Sequence, residues 1–270
     1  MKVILSRKGF DSSNGGIASP IFEDGTLISF PIPSLDKDTY RDLMYKGIEY
    51  SKILTDLKYK GGLRCHVDPD LNQSRRKEQI DGWFPAFGQI DSAASYLKNI
   101  GVKKGDIFLY FGNFHCVEKS NERYRYVRKT GDFYKDNDLQ VIWGYLQVGE
   151  IITDSGKQSE IWWHPHSDKC RLMNKTNVIF RATEKLSFDD RKAGAGLLSF
   201  DRKRVLTLES FSKAIWKLNS VYDVNNIYGN RKNSAREPAK GIYYAGIWQE
   251  LGLKESEECT EWVKSILDVE

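Results

Sequence analysis

Two apolar runs in the middle of the chain limit its fold more than any other feature. They are Val102-Lys-Lys-Gly-Asp-Ile-Phe-Leu-Tyr-Phe-Gly112 and Leu139-Gln-Val-Ile-Trp-Gly-Tyr-Leu-Gln-Val-Gly-Glu-Ile-Ile152. Both are dense in aromatic and β-branched residues, and the first is introduced by a Gly-Asp turn, so both read as strands. Helical spacing appears elsewhere, over 39–57, 91–100 and 246–267. The expected fold is therefore α+β, a mostly antiparallel sheet flanked by helices. With 270 residues and 40 % hydrophobic side chains, there is enough apolar matter for a sizeable core.

A net charge of +4 excludes non-specific coating of nucleic acid, so any hold on phosphate must be local. The four cysteines, Cys65, Cys116, Cys170 and Cys259, are never spaced as C-x-x-C. Neither a disulfide framework nor a cysteine zinc site is indicated, which fits a cytoplasmic setting. No long apolar run points to a membrane span or a signal peptide.

Three polar segments are candidates for chemistry. The first follows the strand-like Lys2–Leu5: Asp11, Ser12, Ser13 and Asn14 can turn side-chain oxygens onto nearby amides, and Gly15 and Gly16 permit positive φ. Such a loop is either a decorated turn or an anion-binding nest for a nucleotide. The second is Cys65-His-Val-Asp-Pro-Asp-Leu71, where a continuing strand would put His66 and Asp68 on one face about 7 Å apart. They are then a pair able to share a metal or a proton, with Asp70 beside them, or a turn starter next to a satisfied core histidine. The third, Ile161-Trp-Trp-His-Pro-His166, carries two of the four histidines. His66, Asp68 and either His164 or His166 would make a two-histidine, one-carboxylate set for a divalent metal such as non-haem iron, with Arg171 or Arg181 to hold a co-substrate carboxylate. The competing reading is a proline-fixed loop. Basic residues interleave with Tyr124 and Tyr126 over Asn121–Lys129, and Asn230–Lys240 reads as a basic exposed loop.

The central hairpin is similar to that of PUA-like, ASCH and EVE domains, small barrels that hold nucleobases, which adds a barrel-like form to the expected sheet. A wider resemblance runs through Ile4-Leu-Ser-Arg-Lys-Gly-Phe-Asp-Ser-Ser-Asn-Gly-Gly-Ile-Ala-Ser-Pro-Ile21, Cys65–Leu71, Ala86-Phe-Gly-Gln89, Gly105–Gly112, Ile142-Trp-Gly-Tyr-Leu-Gln147 and His164-Pro-His166. In these pieces the chain resembles the nucleotide modification associated domain type 3 family, found in phages and bacteria near genes of DNA base modification and phage conflict. The resemblance covers most of the chain as one domain over 1–270 and departs from the family pattern after about 200, where Trp216–Tyr222 is a poor copy.

What the resemblance implies is a protein acting on, or recognising, a modified base or nucleotide. In an enzyme, Asp11, His66, Asp68 and Asp70 would supply acid–base or metal chemistry. Ser12, Ser13, Asn14, Gly15 and Gly16 would hold phosphate or sugar, and Gln89, Trp83 and Trp143 would read or stack the base. The alternatives are a non-catalytic binding module for nucleic acid or modified bases, and an interaction subunit of a phage-defence system that pairs with neighbour-encoded proteins.

Overall fold

The computed structural model describes residues 1–229, 241–244 and 246–269, so the basic loop Asn230–Lys240 lies outside the described residues. Its centre is the expected pair of strands, now fourteen residues each, Ile107–Ser120 and Leu139–Ile152. They pair antiparallel from Leu139 opposite Phe114 to Gln147 opposite Ile107, with Trp143 as the extra residue where the register shifts. Gly105–Asp106 fixes the start of the first: the buried Asp106 carboxylate accepts the amides of Lys2 (2.8 Å) and Lys103 (2.9 Å). That ties the turn to the strand Val3–Arg7, which lies parallel to Ile107–Phe111.

The sheet continues outward in the order Glu250–Leu253, Val3–Arg7, Ile107–Ser120, Leu139–Ile152, Val178–Ala182, Ala86–Gln89. Three short strands, Ser19–Ile21, Arg123–Tyr126 and Ala195–Leu197, pair with the two long ones. Most pairings are antiparallel, as expected; Val3–Arg7 and Ser19–Ile21 are parallel to their neighbour. The sheet stays open from Glu250–Leu253 to Ala86–Gln89, so the barrel-like closure expected from the hairpin is not seen among the described residues.

Successive residues of the central strands enter different cores. Ile107, Leu109 and Phe111 join one cluster with Trp216, Tyr222 and Val263, while Phe108, Tyr110 and Phe114 join another with Leu97 and Phe180. Burial on both faces explains why these strands read as continuous apolar runs and not as alternating ones. The segment after residue 200 therefore builds the cover of one sheet face.

The helical expectations hold in part. Asp91–Asn99 is a helix that buries Ala93, Ala94 and Leu97 and is followed by Gly101 at φ +69°. The run 39–57 is helical only over Tyr50–Asp56. Before it, Met44–Tyr45 pairs with Ile48–Glu49 around Lys46 and Gly47, at φ +46° and +78°, a backbone no helix can contain. The run 246–267 also divides, since Glu250–Leu253 is captured as a sheet strand against Val3–Ser6. The helix proper, Glu257–Leu267, starts where the Ser256 hydroxyl accepts the Cys259 amide (3.0 Å) and two glutamates meet its N-terminal dipole. No helix among the described residues is long and apolar enough to cross a membrane.

Candidate metal centre

Between the opening loop and the edge strand Ala86–Gln89 lies a pocket of about 270 Å³, lined in part by Arg7, Lys8, Asp11, Asn14, His66, Asp68, Gly88, Gln89 and His166. It brings together all three polar segments singled out in the sequence. His66 ends the short strand Cys65–His66, and the chain then folds back, the Asp68 amide donating to the His66 carbonyl at 2.9 Å. The strand expected to run on through Asp68 stops at His66. As a result His66 Nε2 and Asp68 Oδ2 are 3.7 Å apart, much closer than extended backbone would place them.

The hydrogen bonds around these groups determine which atoms are left for a metal. His66 Nδ1 lies 2.6 Å from Asp36 Oδ2, an acceptor, so its proton sits there and Nε2 is bare. Asp36 is itself held by the Arg171 guanidinium at 2.7 Å. His166 Nδ1 faces Asn177 Oδ1 at 2.8 Å. The amide of Asn177 cannot be turned around, because its Nδ2 donates to Gln158 Oε1 (2.8 Å) and to the His166 carbonyl (2.9 Å). His166 therefore also keeps its proton on Nδ1 and presents a bare Nε2, 3.9 Å from Asp68 Oδ2. His164 is the opposite case: its Nδ1 accepts the His166 amide at 3.2 Å, so its proton is on Nε2, which lies buried 3.2 Å from Asp68 Oδ1 but is not aligned for a hydrogen bond. With the Gly88 amide donating to the same Oδ1 at 2.7 Å, Asp68 is steered so that Oδ2 faces the two bare nitrogens.

His66, Asp68 and His166 thus offer three ligand atoms within 4.8 Å of one another. Metal–ligand bonds of about 2.0–2.2 Å at tetrahedral angles put donor atoms roughly 3.3–3.6 Å apart. The observed 3.7 and 3.9 Å spacings need only a small contraction to meet that. The donor set, two imidazoles and a carboxylate each anchored by a second group, fits a divalent metal. His164 belongs to the supporting shell and not to the ligands.

The electrostatics agree with this division. Burial pushes the Asp68 carboxyl up, but the His164 imidazole beside it outweighs this and holds Asp68 well below the usual carboxylate range. Asp36 is likewise held low against its burial by His66 and Arg171. Burial lowers His166 to about 3, keeping it neutral and able to ligate at physiological pH.

Gly88 shows how tightly the cluster is packed. A Cβ there would fall 2.3 Å from Cγ and Cδ2 of His166. Gly88→Ala should therefore push that ring out of register and weaken metal binding roughly 10- to 100-fold, the scale seen when a ligand loses its support. Calorimetric titration of the folded variant with zinc checks this; wild-type affinity would show that the ring is not held as described.

The remaining sequence candidates distribute as follows. Asp11 lines the pocket, but its Oδ1 accepts the amides of Ser13 (2.8 Å) and Asn14 (2.7 Å), so those two amides are already filled by the loop's own carboxylate. Asn14 reaches the pocket, whereas Ser12, Ser13 and Gly16 are exposed loop positions outside it. Gly15, at φ +86°, lies against the Phe10 ring, where a Cβ would come within 2.3 Å. Asp70 turns away from the pocket: it is ion-paired to buried Arg76 at 2.8 Å and accepts the Trp83 indole N–H at 3.0 Å. Trp83 and Trp143 lie outside the pocket, Trp143 buried against Tyr110. Gln89 does line it, donating to the fully buried Glu250 at 2.8 Å. Arg171 is engaged by Asp36 and Asp168, and Arg181 lies over the Phe84 ring, so neither is a free clamp for a carboxylate.

Several groups at the site carried no signal of their own in the sequence. Asp36 and Asn177 act through contacts 30 and 11 residues along the chain from their histidines. Lys8 and Gly88 sat inside recognisable motifs, but nothing in those motifs pointed to an ion pair with Glu250 or to the close approach of His166.

Fold and site together define a protein with an open, mixed sheet and a histidine–carboxylate pocket beside its edge strand. The model of the family nucleotide modification associated domain 3 matches residues 2–253, and the chain belongs to that family. No curated protein and no solved structure gives a match.

Proposed function

We propose that this protein is a metal-dependent enzyme that modifies a nucleotide or a base in DNA, with His66, Asp68 and His166 as the ligands of one divalent ion. The observation that carries the reading is the hydrogen-bond network that leaves bare nitrogens on His66 and His166 facing the free oxygen of Asp68. A divalent ion in this set would supply Lewis acidity at positions left open toward the pocket, and iron(II) would add redox chemistry.

The chain's own residues support a nucleotide as substrate. Arg7 and Lys8 bring two cations to the pocket wall, and Asn14 and Gln89 add amide groups suited to phosphate, sugar or base edges. Lys8 is positioned by Glu250 at 3.0 Å and by the Phe87 ring at 4.5 Å from its centroid. The membership in a nucleotide-modification family supports the same substrate class.

The test is to incubate the metal-loaded protein with nucleotides and with single- and double-stranded DNA and to analyse the digested nucleosides by mass spectrometry. The expected result is a metal-dependent mass change that His66→Ala abolishes. Tight binding of nucleotide or strand with no change in mass, in wild type and His66→Ala alike, would instead favour the non-catalytic binding module.

A further inference from the structure

A second and larger cleft, of about 570 Å³, lies between the helix Asp91–Asn99 and the strand Val178–Ala182. Its accessible apolar surface comes from Val102 and the exposed Ile151, over a floor of the buried Ala94, Leu97, Val178 and Phe180. At its rim stand Lys98 and Lys175, both exposed and neither in an ion pair among the described residues. A partly apolar cleft of this size with a few polar groups is the usual form of a small-ligand site, and among the described residues its charged lining is positive.

We infer that this cleft is a second ligand site, for a small amphipathic anion whose apolar body lies against Val102 and Ile151 and whose charged group meets Lys98 and Lys175. The cleft is linked to the metal pocket through Asn177. Asn177 lines it, and the same side chain holds Nδ1 of His166. A ligand here touches the residue that sets the orientation of His166, so occupancy of the cleft is transmitted to the imidazole through one hydrogen bond.

Anilinonaphthalene sulfonate, an aromatic anion that becomes fluorescent in apolar surroundings, is a direct probe of the full-length, metal-free protein. It should bind wild type at one site, and Lys98→Glu with Lys175→Glu should weaken it at least tenfold; both positions are exposed, so the fold is kept. Ser95→Trp, which fills the cleft from its helical wall, should remove the site. His66→Ala should bind the probe like wild type, so failure of the metal reading leaves this result untouched. The Nδ1 resonance of His166 should shift on saturation with the probe. Unchanged affinity in the double charge reversal and in Ser95→Trp, with unfolding still cooperative, would overturn the site, and an unmoved His166 resonance would overturn its link to the metal pocket.

Discussion

Replacing His166 by Ala, or Asp68 by Asn, is expected to abolish stoichiometric metal binding, whereas His164→Gln should only weaken it. The first two substitutions remove a ligand from a set of three. The third removes a neighbour that packs 3.2 Å from Asp68 Oδ1 while the Gly88 amide still holds the same oxygen at 2.7 Å. Loss of a supporting group costs roughly 10- to 100-fold in affinity, and loss of a ligand costs more. Cobalt titration followed by visible absorption ranks the variants. An equal loss in His164→Gln and His166→Ala would mean that His164 is itself a ligand and that the proton assignment of the two imidazoles is reversed.

Trp216→Ala is expected to give the largest loss of stability. The indole is fully buried, stacked on Tyr244 at 4.6 Å and edge-on to Phe111 at 5.2 Å. Truncating a buried tryptophan typically costs about 3–5 kcal/mol, through lost transfer energy and the cavity left behind. Because Phe111 belongs to a central strand and Trp216 to the segment after residue 200, the destabilisation should reach the whole sheet. Denaturant unfolding followed by both tryptophan fluorescence and far-ultraviolet circular dichroism should show one transition at lower denaturant. Separate transitions for the two probes would mean that the C-terminal segment unfolds on its own.

What could be read from the sequence follows from which interactions are local. The central strands were legible because burial on both faces demands a continuous apolar run, and Ile107–Phe111 and Val141–Leu146 supply it. The helix at Asp91–Asn99 was legible from its spacing and the glycine that follows. The run 39–57 misled because Leu43, Ile48, Ile53 and Leu54 keep helical spacing across a hairpin turn that only the backbone of Lys46 and Gly47 reveals. Glu250–Leu253 misled similarly, since its strand form depends on an edge offered by Val3–Ser6 at the other end of the chain.

At the site, the residue types of His66, Asp68 and His166 were visible, and so was the choice between His164 and His166. That choice is decided by Asn177, whose amide is locked by Gln158. No periodicity encodes such a contact. In the opening loop, where the sequence offers Asp11, Ser12, Ser13 and Asn14 as side chains able to bend onto amides, it is the Asp11 carboxylate that takes the amides of Ser13 and Asn14, which makes the loop a shaped wall of the pocket.

The most direct test of the account is the metal content of the wild-type chain, purified anaerobically, offered iron(II), zinc or manganese in excess, desalted and measured by plasma mass spectrometry. One ion per chain, lost in His66→Ala, is the predicted result. Wild-type protein that retains no metal above the level of His66→Ala would contradict it.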